Sequence, residues 1–293
     1  MIEHYAPQGS EAWKKARAGC ITGSNFKMIR AKVNGLDEKQ MAYVTAVLAG
    51  KSEAEAREIA GYKAPPKSET VARALKGLPV GDFSDVAKNH AFALAIERIS
   101  GEPLMEGYTG WAAERGHELE PAARMCHEAV TGDMVRQVGF ISTDDGKFGA
   151  SADGFRLANG NGCEYKCFLD PEKLRTILLD GDLSTVMDQC MGGMWLAGSK
   201  AWEFGLYCPA LKPIGRDFTL HVIQRDDDYI EALEADLWEF EKLVSEYEVR
   251  LRGPAAYSMP AAAPRWIPTP DELFGPKPAA KPIAPAEIPA SIF

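Results

Sequence analysis

The sequence predicts an α/β (α+β) protein in which helices flank a central mixed β-sheet. The middle of the chain alternates short apolar runs with Asp-Gly and Asn-Gly turns, the strongest local signal for β-hairpins. The segments on either side carry apolar residues at helical spacing. Ten of the 19 prolines fall in residues 253–293, among many alanines. A folded domain over 1–252 and a Pro/Ala-rich flexible tail over 253–293 are therefore expected, since such a tail buries too little surface to offset ordering entropy.

The β centre reads as residues 137–142, the turn Asp144-Asp145-Gly146, residues 148–157, the turn Asn159-Gly160-Asn161-Gly162, and residues 163–168. These predict a meander of three antiparallel strands. Two more strands are expected at 202–208 and 217–223, with helices over 86–100, 110–130 and roughly 182–197. Residues 226–251 repeat apolar positions at helical spacing, from Tyr229 and Ile230 to Tyr247 and Leu251, behind a capping run Asp226-Asp227-Asp228. This helix holds ten of the 42 acidic residues, read as one solvated outer face. Residues 34–80 form a helical insert. A capped helix over 52–62 ends in glycine, a Pro65-Pro66 turn follows, and a second helix runs over 68–75. The order resembles a helix-turn-helix; a helical hairpin that only packs on the main domain fits equally.

Composition narrows the class. With 33 basic and 42 acidic residues the net charge is −9, and 46% hydrophobic with 26% charged residues is ordinary for a globular protein. No run of 18 apolar residues predicts a membrane span, and the first residues lack a basic, apolar leader. Six cysteines without a CxxC pair are expected as reduced thiols in the cytoplasm. Cys126-His127 is read as structural. The histidines lack a nucleophile partner for a triad, and there is no G-x-x-x-x-G-K-[ST] run for nucleotide hydrolysis. The acidic balance argues against a polyanionic partner, yet residues 1–35 carry six basic side chains (Lys14, Lys15, Arg17, Lys27, Arg30, Lys32) against Glu3 and Glu11.

The chemistry-bearing stretch is Ser151-Ala152-Asp153-Gly154, then Glu164-Tyr165-Lys166. Strand alternation puts Glu164 and Lys166 on one face and Tyr165 on the other, and the hairpin returns Asp153 beside them. Two carboxylates and an ammonium at one sheet edge suit a hard cation such as Mg²⁺. The lysine would orient or deprotonate a water, or stabilise negative charge on phosphorus. A helix-borne acid would complete the site, with Glu118 and Glu120 as the choices.

The order of helix-borne Glu, hairpin, Asp-Gly, hairpin and E-x-K resembles the PD-(D/E)XK restriction-endonuclease-like core. Further motifs narrow the likeness. Gln8-Gly9 and Trp13 precede Arg17-Ala18-Gly19-Cys20-Ile21-Thr22-Gly23-Ser24, matching a glutamine-glycine start, a tryptophan and R-x-G-x-I-T-x-S. Trp111 to Glu120, Ser151 to Gly154, Glu164 to Cys167, and Asp188-Gln189 with Trp195 follow in order. Over roughly 6–33 and 83–240 the sequence is similar to the lambda-type phage alkaline exonucleases, the YqaJ-like viral recombinases. Ala152 stands where that family usually has proline, and 34–80 and the tail have no evident counterpart.

The resemblance implies Asp153 and Glu164 as metal ligands with the Tyr165 carbonyl, Lys166 and Glu120 as catalytic groups, and Arg17, Ser24, Ser151 and Gln189 around a terminal 5′-phosphate or the DNA. It implies a two-metal Mg²⁺ site that also accepts Mn²⁺, and 5′→3′ digestion of one strand of linear double-stranded DNA. The 3′ overhang so formed would serve strand-annealing recombination. A homotrimer is implied too. The apolar end Ile288 to Phe293 is expected to dock a single-strand annealing protein or a single-strand-binding protein. An endonuclease of the same superfamily and a non-catalytic DNA-binding assembly protein are the alternative readings. Digestion polarity and oligomeric state rest on the resemblance alone.

Overall fold

Ser10, Asp37, Ser52 and Ser84 each start a helix by accepting a hydrogen bond from the main-chain N–H three residues on. Asp37 and Ser52 do so in reciprocal capping boxes with Gln40 and Glu55. Gly61 and Gly101 close two of these helices in the left-handed conformation. The computed structural model describes residues 1–78, 80–104, 111–167 and 170–253, with the main chain alone at 111–113. Residues 254–293, including the apolar end expected to dock a partner, lie outside the described residues.

The elements run β1 (Ile2–His4), α1 (Glu11–Arg17), β2 (Ile21–Thr22), a short 3-10 turn, α2 (Phe26–Arg30), α3 (Glu38–Leu48), α4 (Glu53–Ala60), α5 (Glu69–Ala74), α6 (Asp85–Ser100) and α7 (Trp111–Thr131). Then come β3 (Val135–Arg136), β4 (Phe140–Ser142), β5 (Phe148–Ala150), β6 (Gly154–Arg156), β7 (Gly162–Lys166), α8 (Pro171–Leu178), α9 (Met187–Ala197), β8 (Ala201–Tyr207), β9 (Phe218–Gln224) and α10 (Asp227–Arg252). The mixed α/β class is as expected, and helices flank the strands.

The three-stranded meander is corrected: the strands belong to two mixed sheets. One has the order β1-β4-β5-β2, with β2 parallel to β5. The other has the order β3-β6-β7-β8-β9, with β7 parallel to β8 and its other pairs antiparallel. The expected strand over 148–157 therefore divides at Ser151-Ala152-Asp153, which leaves the first ladder after Ala150 and joins the second at Gly154. The chain changes sheets at the aspartate. The β7–β8 crossover carries α8, which the sequence reading missed, and α9, which begins at Met187 rather than near 182.

The main core packs Phe26, Phe148, Trp202, Phe204 and Phe240 between the sheets and helices α2, α6, α9 and α10. The insert is three helices with a small core of its own, including Tyr43, Val44, Ala56, Ala60 and Val71. It is fastened at its base by main-chain bonds between Val33 and Asp82.

The solvated acidic face of α10 is also corrected. Asp236 pairs with Arg30, Glu239 with Lys32, and Glu241 with both Arg98 and Lys147. Glu241 is 2% exposed. These acids staple α10 to α2 and α6, because a buried or half-buried charge is tolerated only with a partner. Four of the six cations of residues 1–35 are spent in such pairs: Arg30 and Lys32 here, Lys14 with Glu11 and Lys15 with Glu102. Among the described residues no helix is long and apolar enough to cross a membrane.

Candidate active site

The β6–β7 hairpin assembles the carboxylate end of the site. The Asp153 N–H donates to the Cys163 carbonyl at 3.0 Å, and its Oδ2 accepts the Tyr165 N–H at 2.6 Å. Glu164, 3% exposed, forms an ion pair with Lys166 on the same strand face. Tyr165 points the other way, its hydroxyl 2.8 Å from His127 Nδ1 on α7. Strand alternation thus acts as expected.

Helix α7 settles the placement of the two candidate acids. Glu120 reaches the site, with Arg124 Nη1 at 3.9 Å and His117 Nδ1 at 3.8 Å. Glu118 faces solvent and pairs with Arg115 at 2.9 Å. Pro121 within the helix supplies no N–H for the His117 carbonyl four residues back.

The electrostatics is that of crowded negative charge. Burial, reinforced by Glu164 and Glu120, holds the Asp153 carboxyl well above its usual range, although Lys166 and the Tyr165 N–H oppose it. Burial and the Glu164 charge also raise Glu120 against the pull of Arg124 and His117. Burial works to lower the Lys166 ammonium, but the charges of Glu164 and Asp153 outweigh it and hold the proton on. The cysteines nearby are packed thiols: burial pushes Cys163 up to about 12 and Cys167 to about 11. All six cysteines are free.

Helix α1 and the loop behind it build the opposite end. Trp13 is pinned by its Nε1–H, which donates to the Gly139 carbonyl at 2.7 Å. The Arg17 guanidinium lies over the Trp13 ring, 4.2 Å from its centroid. Its hydrogen bond among the described residues is a long one, to Thr22 Oγ1 at 3.4 Å, and no carboxylate there is within ion-pair distance. Burial pulls its pKa down, weakly opposed by Cys20 and Glu97. Ser24 Oγ lies 3.4 Å from Thr22 Oγ1, and the buried Ser151 Oγ has no hydrogen-bond partner among the described residues. Gln189 is presented by α9, whose preceding residue Asp188 is anchored by Arg30 and by the Tyr229 hydroxyl at 2.6 Å.

A single cavity of about 370 Å³ joins both ends: Glu120, Asp153, Glu164, Tyr165 and Lys166 line it together with Arg17, Ser24, Ser151 and Gln189. All the residues expected to act therefore meet in one place. Trp13, Thr22 and Gln8 also line it; they stood inside the N-terminal motif with no role assigned. His117 and Arg124 went unnoticed, although spacings of three and four residues from Glu120 put them on its side of the helix.

The donor set fits a hard cation. Among the described residues no group of three or more His, Cys, Asp or Glu is arranged to hold a metal ion. Mg²⁺, however, asks for one or two carboxylates and keeps its remaining waters. Asp153, Glu164 and the Tyr165 carbonyl supply that much, and the mutual repulsion that raises Asp153 is what a cation would relieve.

Two mixed sheets flanked by helices, with Asp153 and E-x-K meeting a helix-borne glutamate at one cavity, define the PD-(D/E)XK class. The family model for the YqaJ-like viral recombinase domain matches residues 12–200. The chain belongs to that family, as the motifs anticipated. Among solved structures it is similar to an alkaline exonuclease, LHK-Exo, from Laribacter hongkongensis, at 23% identity and a TM-score of 0.56, covering 83% of this chain and 97% of that one. The structure of LHK-Exo in complex with dAMP matches with the same values. No curated protein matches the sequence.

Proposed function

We propose that this protein is a Mg²⁺-dependent 5′→3′ exonuclease that digests one strand of linear double-stranded DNA from its end. The observation that carries the reading is Arg17. It is a half-buried guanidinium with no carboxylate partner among the described residues, in the same cavity as the E-x-K carboxylates and the Ser151 hydroxyl. Such a group awaits an anion, and a terminal phosphate meets a guanidinium bidentately. The likeness to an alkaline exonuclease and the recombinase family support the same chemistry.

Held by Asp153, Glu164 and the Tyr165 carbonyl, Mg²⁺ would polarise the scissile phosphate and make water easier to deprotonate. Glu120, its carboxyl raised toward neutrality, takes the water proton on a carboxylate oxygen. Lys166 acts as an ammonium, donating from Nζ to the attacking oxygen or to the oxygen that gains charge on phosphorus. Arg17, Ser24, Ser151 and Gln189 hold the 5′-phosphate, so the strand is cut a fixed distance from its end. The product strand, a 3′ overhang, suits a single-strand annealing protein or a single-strand-binding protein. A homotrimer acting in the host cytoplasm completes the reading.

The test uses linear duplex labelled at the 5′ end in one sample and at the 3′ end in another, with Mg²⁺, beside a closed circular plasmid. Early release of 5′ label with the circle intact is expected. Cutting of the circle would favour an endonuclease, and early loss of 3′ label would reverse the polarity.

A further inference from the structure

Below the E-x-K strand lies a buried polar cluster that the proposed reaction does not use. Its centre is Glu203 on β8, 1% exposed. The carboxylate accepts from His127 Nε2 at 2.7 Å, Asn161 Nδ2 at 2.8 Å, Arg156 Nη1 at 3.1 Å and Asn159 Nδ2 at 3.3 Å. Arg156 in turn pairs with Asp133 at 3.1 Å. On the other side of the His127 ring, Nδ1 meets the Tyr165 hydroxyl at 2.8 Å. With Nε2 directed at Glu203, Nδ1 is the ring atom left to meet the Tyr165 hydroxyl.

A buried network can serve stability alone, but the membership of this one argues for more. His127 and Tyr165 come from elements that carry site residues, and Arg156 and Glu203 from the strands on either side of β7. His127 is seven residues beyond Glu120 on α7, two helical turns along the same side. Arg156 ends the short strand that begins immediately after Asp153. Tyr165 is the middle residue of E-x-K, and Glu203 pairs in register with Cys163 beside it. Tyr165 is the decisive member, because its main chain works at the site while its side chain works in the cluster. Its N–H donates to Asp153 Oδ2, and its carbonyl is in the donor set for the cation.

We propose that Glu203, acting through His127 and the Tyr165 hydroxyl, is a positioning residue that sets the Tyr165 main chain and, through it, Asp153 in the arrangement that binds a divalent cation. The four donors explain how the anchor stays charged. Burial pushes the Glu203 carboxyl up, and the bonds from His127, Asn161, Arg156 and Asn159 more than offset it, leaving it at about 2. A permanently ionised carboxylate fixes the imidazole orientation as outer partners do in histidine metal sites. Here the chain runs one residue further, to a main-chain ligand.

The proposal rests on the metal-dependent reading of the cavity, and its test separates the two. Mn²⁺ binding to the full chain without DNA is measured by calorimetry for the parent, Y165F, H127Q and E203Q, with thermal melts to confirm folding. The same four proteins are assayed for kcat and KM on 5′-phosphorylated duplex across a Mn²⁺ titration. Y165F removes one oxygen and leaves Glu203 all of its donors, so it decides the matter even if E203Q, which strips a charge from Arg156, fails to fold. The expected result is about tenfold weaker Mn²⁺ binding in Y165F. Its kcat would fall at limiting metal and recover at saturating metal, with KM for DNA unchanged. A folded Y165F that binds Mn²⁺ as the parent does overturns the proposal, as does a parent with no Mn²⁺ affinity. A parent that binds Mn²⁺ and leaves linear duplex intact ends the exonuclease reading while the affinity comparison stands.

Discussion

Arg17 rests on the face of Trp13 with its guanidinium carbon 4.2 Å from the ring centroid, and the ring is held in turn by the Gly139 carbonyl. The stack orients a cation that has no carboxylate of its own among the described residues. Lys14, Lys15, Arg30 and Lys32 differ in having carboxylate partners, and Lys27, which also has no ion pair among the described residues, is exposed rather than stacked in the cavity.

Removing that cation should therefore cost recognition of the chain end. Arg17→Ala is expected to lower kcat/KM on 5′-phosphorylated duplex by roughly 10- to 100-fold, the loss of one charge-assisted bidentate contact. On 5′-hydroxyl duplex the loss should be much smaller. Parallel rates on the two ends measure the difference, and equal losses would remove Arg17 from the phosphate pocket.

Asp153 and Lys166 should move stability in opposite directions while both variants lose activity. Asp153→Asn relieves the repulsion from Glu164 and Glu120 and keeps an oxygen to accept the Tyr165 N–H. Without divalent ions its Tm should rise, by about 2–4 °C for each kcal/mol gained in a chain of this size. Lys166→Ala leaves the buried Glu164 without its ion pair, so its Tm should fall, corresponding to about 1–2 kcal/mol after discounting the partly exposed lysine. Melts in EDTA and nuclease assays in Mg²⁺ check both halves. Full activity in either variant would sink the site assignment.

Much of this site was legible because its signals are local. Caps, Asp-Gly and Asn-Gly turns, the E-x-K alternation and the Arg17 to Ser24 motif each lie within a few residues, where backbone sterics and side-chain reach decide the outcome. The division into two sheets was not legible, because residues 148–157 read as one continuous strand and only pairing partners break it at Ser151–Asp153. The role of α10 was hidden for a different reason. Asp236 meets Arg30 across 206 positions in the chain, and no local pattern distinguishes an acid that faces water from one that staples two helices. The Glu203 cluster is likewise a product of packing: Glu203 sits mid-strand, where a lone acid reads as exposed.

Gly19 offers a test of how the loop between Arg17 and Ser24 is braced. Its φ is +74°, and a Cβ there would fall 2.5 Å from Arg98 Cγ. Arg98 Nε–H donates to the Gly19 carbonyl at 2.8 Å, and its other nitrogens hold Glu241 at 3.0 and 2.7 Å. Gly19→Ala must therefore strain the backbone and displace a buried ion pair, at a cost of about 2–4 kcal/mol. A lower denaturant midpoint is expected, with weaker discrimination between 5′-phosphate and 5′-hydroxyl ends in whatever remains folded. An unchanged midpoint would show that Arg98 yields freely and does not brace the loop.

Acid should expose the worth of Glu203. Its carboxyl is held at about 2 in the folded chain, below the ordinary 4.5. A group depressed on folding stabilises above its unfolded pKa, so the contribution is complete above about pH 4.5 and is lost as pH falls toward 2. A shift of that size corresponds to roughly 3 kcal/mol, an upper figure for one buried group. Urea unfolding of the parent should therefore weaken steeply between about pH 5 and 3. Glu203→Gln, which carries no titrating proton, should begin less stable at pH 7 and lose less over the same interval, so the two curves converge in acid. Parallel curves would assign the acid sensitivity to other carboxylates.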